Sequence, residues 1–428
     1  MKTTILIIGI MIVLLAQSLW AEPTRLSIAN EVQYFYLNPK NSSPFFSKLE
    51  IKLYGSAELS DALDFKYNTT LNYVHLSQQD QKQMLINPTE FGFFGSASIF
   101  DYQLGFWQYT PEGPDINNLF NVIHGKDYRQ PFSSENLSSL GLLVSATYEI
   151  LTFKAFYIPK NSKSILPDTQ SPWWPRTDTL PISNSSGTFY LPDQVNYRFR
   201  NESEVQSPFL NNWGGSAKLA FNNFDINLFY YSGANQTPQI YPNFTIDITT
   251  SIDPPVGVIR PDVDLDTTWI KSDHAGAGLS TVLDPVIAKV FCKKQTDYGL
   301  PQSSSTSCTG SLESSLDIFS KSLRFFIQTN RQWKSSSSIS ELETLLGFFE
   351  KSTALGYLID LNSENIVSGA FVYNEKSPSL LTSVRYERRW TDQFKSILGI
   401  NIITAQDQPL AKSYDQTDSA TFKINYDF

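Results

Sequence analysis

The sequence predicts an all-β chain: an antiparallel transmembrane barrel of about 18 strands, with 16 as the alternative count. Three observations carry this. Apolar and polar residues alternate along most of the chain, which is the strand period. Short and long connections alternate in phase from end to end, as in outer-membrane barrels. The closing run "TDSATFKINYDF" (417–428) places Phe428, Tyr426, Ile424, Phe422 and Ala420 on one face and Asp427, Asn425, Lys423 and Thr421 on the other.

The first element is read as a secretory signal peptide over residues 1–21, leaving 22–428 as one barrel domain. Lys2 supplies a positive charge, Ile5 to Leu15 is apolar apart from Gly9, and "AQSLWA" ends on a cleavage point after Ala21, with Ser18 as the alternative. The apolar run is shorter than the roughly 20 residues of a membrane helix. No later segment is long and apolar enough either, so a membrane location requires a closed barrel, which pairs every backbone group.

The strands follow in order. In "KLEIKLYGSAEL", Leu49, Ile51, Leu53, Gly55 and Ala57 share a face, and Lys48, Glu50, Lys52, Tyr54, Ser56 and Glu58 oppose them. "LDFKYNTTLNY", "LLVSATYEILTFKAFYI" and "WGGSAKLAFNNFDINLFYY" repeat the pattern on either side of tight turns. Short turns are read near 60, 98, 149, 222, 284 and 391, and long polar stretches at 77–87, 109–137, 160–211, 233–270 and 294–310. Over 311–361 two readings stay open. Either "SLESSLDIF" and "LRFFIQTNRQW" form a hairpin before one long strand ending at Asp360, or "TLLGFFEK" and "TALGYLID" are separate strands. The free carboxyl end should face the periplasm, which puts short turns inside and long loops outside.

Composition agrees. Net charge is −9, which argues against a nucleic-acid partner. Phe (30) and Tyr (21) far outnumber Met (3) and His (3), as expected where aromatic girdles meet both lipid interfaces. Cys292 and Cys308, the two cysteines, lie 16 positions apart behind an export signal, so a disulfide closing an outer loop is expected.

Several stretches, "NVIHGKDYRQPF", "FKAFYIPKNSKSILPDTQSPWWP", "NNWGGSAKLAFNNFDINLFYYSG" and "SGAFVYNEKSPSLLTSVRYERRWTDQFKSILGINI", resemble a large, mostly uncharacterised family of porin-like outer-membrane β-barrel proteins of proteobacteria. The likeness extends more distantly to alginate-export barrels. Where members often carry Asn-Pro-x-Asp, this chain has His124-Gly125-Lys126-Asp127. The resemblance implies a barrel with an external plug or lid and brings no substrate. Phe428 with Phe422 and Tyr426 at alternate positions looks like the signal read by the barrel-assembly machinery.

For function, the polar faces are assigned to the lumen, which in a barrel this wide admits water. The pore-lining set is Lys48, Lys52, Lys66, Lys154, Lys218, Lys289, Arg385, Arg389, Lys395 and Lys423 against Glu50, Glu58, Asp64, Asp225, Glu387 and Asp427. That basic excess suggests a pore favouring anions; the alternative is cross-strand pairing that merely solvates the wall. His124, Lys126, Asp127, Tyr128 and Arg129 form a candidate constriction loop within 113–132. Lys126 and Arg129 either contact an anionic solute, or Asp127 and Arg129 hold the loop to the wall. Asp262, Asp264 and Asp266 in "PDVDLD" lack the glycine and closing glutamate of a calcium loop, so a solvated loop is favoured. Trp173-Trp174 suits packing at the barrel mouth better than a sugar platform. His75, His124 and His274 stand in unrelated contexts with no nucleophile pattern, so no enzyme, metal or cofactor is expected. The reading is a porin-like pore for small hydrophilic solutes, anions among them, narrowed by extracellular loops in a Gram-negative outer membrane, with lipid, the assembly machinery and solute as partners. The alternative is a plugged barrel acting as a surface receptor or adhesin.

Overall fold

The computed structural model describes residues 24–36, 44–75, 84–114, 118–130, 134–167, 171–173, 189–190, 196–243, 245–249, 256–259, 262–299, 303–318, 321–334, 351–375, 379–405 and 417–428. The signal-peptide reading and Trp174 lie outside them. The first strands are β1 (Arg25–Phe35), β2 (Phe45–Ser60), β3 (Leu63–His75), β4 (Met84–Ala97), β5 (Phe100–Trp107), β6 (Lys126–Asp127) and β7 (Glu135–Asn136). Next come β8 (Ser139–Tyr148), β9 (Leu151–Lys160), β10 (Phe189–Tyr190), β11 (Asn196–Val205), β12 (Leu210–Ala220) and β13 (Phe224–Ala234). They are followed by β14 (Gln239–Asn243), β15 (Ile246–Thr249), β16 (Val256–Ile259), β17 (Asp262–Leu283), β18 (Val286–Asp297) and β19 (Ser303–Ile318). The last are β20 (Lys321–Lys334), β21 (Ser352–Asn362), β22 (Asn365–Asn374), β23 (Ser379–Arg389), β24 (Phe394–Ala405) and β25 (Ser419–Asp427).

Eighteen of these close a barrel of antiparallel neighbours, sealed where β1 pairs with β25 from Ser27↔Asp427 to Phe35↔Ser419. The period-two sequence explains the result. Along β25 the side chains of Phe422 and Tyr426 are exposed on the outside, and Ser419, Thr421 and Lys423 turn inward. Leu104, Leu142, Phe153, Leu228, Leu279, Val290, Leu312, Leu355, Leu398 and Ile400 continue the exposed apolar band around the barrel. Such a surface is stable in hydrocarbon and would aggregate in water. Aromatic residues gather at the ends of the band: Tyr34, Phe45, Tyr73, Trp213 and Trp333 at one rim, and Phe100, Tyr148, Phe224, Trp390 and Phe428 at the other.

Turns expected from the sequence fall between paired strands at 61–62, 98–99, 149–150, 221–223, 284–285 and 390–393. In the ambiguous region β19 and β20 form the expected hairpin, β21 follows, and residues 344–350 of "TLLGFFEK" lie outside the described residues. Two loop expectations change. The stretch 294–310 is mostly strand, because β18 and β19 extend as a ladder from Val286↔Ser314 to Asp297↔Ser303. Cys292 and Cys308 therefore sit directly opposite each other in that ladder, disulfide-bonded with Cα atoms 4.1 Å apart, on the outward face shared with Val290. Replacing both by serine should cost about 3 kcal/mol at most, by the chain-entropy estimate for a loop of this length; urea unfolding of the double variant measures it.

"DVDLD" (262–266) is likewise strand, not loop. The outer end of β17 continues past the barrel and is flanked by β11 (parallel) and β14 (antiparallel). There Asp264 pairs with Arg200 at 2.5 Å, and Asp266 accepts hydrogen bonds from Asn201 and Asn243. These carboxylates are used within the sheet, and among the described residues no cluster suits a metal ion.

Candidate functional site: the lumen and its inserted segments

After Trp107 the chain turns into the barrel. Inward residues Trp107, Phe156, Ile158, Phe229, Tyr231 and Phe291 form an apolar pad on the wall, and Leu119, Phe120, Val122 and Ile123 pack onto it. The Phe120 ring stacks on Phe229 at 5.0 Å and meets Phe291 edge-on at 5.4 Å. Gly276 of β17 makes room: a Cβ there would lie 2.3 Å from the Phe120 ring.

Polar ties fix the rest of the segment. The Tyr109 N–H donates to His124 Nε2 at 2.9 Å, which puts the ring proton on Nδ1, facing Ser139 Oγ at 3.2 Å. Burial lowers the His124 pKa to about 3, so the ring is neutral at ordinary pH. Ser139 in turn donates to Asn161 Oδ1, and Asn161 Nδ2 donates to the Ile123 carbonyl, both at 2.7 Å. Gln236 Nε2 donates to the carbonyls of Asn121 and His124, each at 2.8 Å. The chain leaving β9 zips onto this segment: Ile165 N–H donates to the Lys126 carbonyl at 2.8 Å and Tyr128 N–H to the Ile165 carbonyl at 2.7 Å.

The same segments reach the wall of β1, β2 and β3. Glu135 receives Lys48 Nζ at 2.5 Å and Asn72 Nδ2 at 3.4 Å, and Gln130 donates to Glu31 at 3.0 Å. Trp173 lies edge-on to Phe35 at 5.3 Å in a cluster with Phe46 and Val74. It packs, as the sequence suggested. Each barrel strand contributes at least one buried inward side chain, from Phe35 on β1 and Asn72 on β3 through Asn212, His274, Asn330 and Ile403 to Ser419 on β25.

The five constriction residues are thus brought together inside the barrel, yet four of them are sealed. His124, Asp127, Tyr128 and Arg129 are buried, and Lys126 is partly buried. Arg129 grips Asp127 through Nε at 2.9 and 3.0 Å and through Nη2 at 2.5 Å. These bonds clamp two residues of the same segment to each other.

Register places Lys48, Lys52, Lys66, Lys154, Lys218, Lys289, Arg385, Glu387, Arg389 and Lys395 on the inner face. Many are paired. Lys48 is buried beneath Glu135, Lys218 contacts Glu112 at 2.8 Å and Asp225 at 2.9 Å, and Lys289 meets Glu313 at 2.6 Å. Glu387 is shared by Arg385 and Lys395, each at 3.5 Å. Among the described residues no carboxylate pairs with Lys52, Lys66, Lys154 or Arg389 within 4.0 Å. Sequence reading missed Glu112, in a loop, and Glu135, in the two-residue β7, since neither lies in a periodic stretch. Glu313 was within reach, since extending the alternation from Leu312 turns it inward.

Ser272 and His274 form an unexpected pair at 2.8 Å, but both are buried and His274 Nδ1 has no partner. A nucleophile needs access and an oriented base, so this pair reads as packing.

No family model matches the chain, and no curated protein matches its sequence. Solved structures do match. A BenF-like porin from Pseudomonas fluorescens Pf-5 aligns at 10% identity with TM-score 0.52, covering 95% of this chain and 98% of its own. Pseudomonas aeruginosa OccK2 (OpdF) aligns at 10% identity with TM-score 0.51, over 95% and 97% of the two chains. Acinetobacter baumannii OccAB3 gives 7% identity and TM-score 0.50, over 95% and 98%. At such identities the likeness is one of fold: the chain has the fold of outer-membrane porins, and its apolar exterior is that of a barrel in a Gram-negative outer membrane.

Proposed function

We propose that the protein is a porin-like channel for small hydrophilic solutes, narrowed by the segments at 118–130, 134–138, 161–167 and 171–173. The observation that carries the reading is the sorting of side chains on one closed cylinder, apolar outside and ionic inside. Such a wall replaces part of a solute's hydration, and charge placement sets the barrier for each ion type. OccK2 has been solved in complex with glucuronate, which supports small anions as the first solutes to try. A role for Phe422, Tyr426 and Phe428 in recognition by the assembly machinery, and the likeness to alginate-export barrels, belong to this proposal too. A second reading, a closed barrel serving as a surface receptor, is favoured by the burial of inward side chains on every strand. Single-channel recording in planar bilayers separates them. Stable ohmic steps support the channel; silence over many insertions supports the receptor.

Anion preference in this proposal rests on the column Arg385, Arg389 and Lys395, in which Glu387 is the one carboxylate and is held by Arg385 and Lys395. Arg385→Glu with Arg389→Glu should shift the reversal potential in a salt gradient toward cations. An unchanged potential removes the anion preference.

Lys126 gives a pH dependence. Burial lowers its pKa from the ordinary value to about 8. Between that value and the unfolded value of about 10.4, the unfolded chain binds more protons, so stability rises with pH. Below it the lysine is charged in both states and contributes no slope. Thermal unfolding followed by gel mobility should therefore show a higher midpoint at pH 9.5 than at pH 7, and Lys126→Met should reduce that difference. The window ends below the titration of Tyr128, whose phenol burial pushes upward.

A further inference from the structure

We propose that the pocket at the short-turn mouth of the lumen binds a small zwitterion, with Asp64 receiving its ammonium and Lys66 and Gln103 its carboxylate. The pocket holds about 290 Å³ and lies between β3, β4, β5 and β8. That is at the lower edge of the range of roughly 300–1,000 Å³ for drug-sized ligands, so it suits something smaller. Asp64 and Lys66 stand two residues apart on β3, and both line the cavity. Neither forms an ion pair within 4.0 Å with a described residue. Elsewhere in this lumen opposite charges close on each other, as Lys289 does on Glu313 at 2.6 Å. The Lys66 ammonium instead lies over the Phe94 ring, 5.0 Å from its centroid.

Two further features match a ligand with both charges. The amide nitrogen of Gln103 is buried without an acceptor, and a buried donor left unpaired costs free energy that a ligand carboxylate would recover. Phe94 and Leu143 give the cavity an apolar side, and Ser145 adds a hydroxyl. Asp61 and Asp101 line the cavity as well, Asp101 accepting from Ser96 Oγ at 2.7 Å, and Asp64 is the carboxylate on the same strand and face as Lys66. A ligand with one charge satisfies one of these groups and leaves the other exposed to solvent. A ligand carrying both at short separation satisfies the two together. The proposal names a solute class for the channel reading and rests on it for its role in transport, whereas binding itself requires no conduction.

Calorimetric titration of the full barrel in detergent tests it, with L-glutamine as probe and acetate and methylamine as single-charge controls. Saturable glutamine binding is expected, at least fivefold tighter than either control. Asp64→Asn and Lys66→Met should each weaken it at least fivefold. Gln103→Glu, which sets a carboxylate against a carboxylate, should do the same if either of those variants fails the gel-mobility test of folding. A smaller change in any folded variant, or acetate binding as tightly as glutamine, overturns the site. Planar-bilayer recording keeps the two ideas apart. Binding with no conductance overturns the channel reading alone, and conductance with no glutamine binding overturns this site alone.

Discussion

Arg129→Leu will unseat the inserted segment, at a cost of about 3–5 kcal/mol, the usual penalty for stripping one partner from a buried ion pair. Both members are nearly sealed, Arg129 at 3% and Asp127 at 7% exposure, so no water compensates the carboxylate left behind. The Arg129 backbone N–H also donates to Asp127 Oδ1 at 3.1 Å, which makes the pair a closed local loop. Removing both charges, Asp127→Leu with Arg129→Leu, should cost far less, since no orphaned charge remains. The pattern across single and double variants decides the role of the pair. If Arg129 binds solute, the single variant loses anion flux while its loop stays resistant to protease. If it clamps, protease cuts within 118–130 in the single variant and much less in the double. Equal, small effects in both would sink the clamp.

The barrel was legible in the sequence for a simple reason. Period-two alternation is a local property, and lipid outside with water inside imposes it on strand after strand, so Phe422, Tyr426 and Phe428 announce their side without any long-range information. Turn positions were legible too, because brief connections such as 149–150 break the alternation visibly. The inserted segments were legible only as composition. Whether "IHGKDYRQPF" contacts solute or wall depends on partners far away in the chain, Gln236 and Asn161 among them. Nothing local marks Gln236 as a donor to the His124 carbonyl. The basic excess read along the strands shrank for the same reason. Glu112 comes from a loop and Glu135 from the short β7, and only the fold brings them to Lys218 and Lys48. The stretch 294–310 misled because its serine-rich face resembles a loop; in the barrel that face turns inward, where small hydroxyl side chains are acceptable.

Asn161→Leu should release both inserted segments together and have the largest effect on conductance. This side chain, 5% exposed, sits where the chain leaves β9 and serves as a junction for three parts of the lumen. Its Nδ2 faces the Ile123 carbonyl at 2.7 Å, Asn212 Oδ1 at 3.0 Å and the Tyr231 hydroxyl at 3.0 Å. Its Oδ1 accepts from Ser139 Oγ at 2.7 Å and from the Ser162 N–H at 2.8 Å. Leucine fills the volume without serving any of these groups. Each buried group left unpaired costs about 1–3 kcal/mol, and at least the Ile123 carbonyl and the Ser162 N–H lose their partners. Tyr231 and Asn212 retain their mutual bond at 2.9 Å, so the wall itself should survive and the loss should concentrate in the loops. In bilayers the variant should conduct more and with greater noise than the parent barrel, with a lowered thermal midpoint on gels. Asn161→Asp separates the two halves of the junction: it keeps the acceptor for Ser139 and Ser162 but loses the donor to Ile123, and should fall between parent and leucine variant. Parent-like conductance together with a parent-like midpoint in the leucine variant would mean that the segments are held by the Phe120 pad alone.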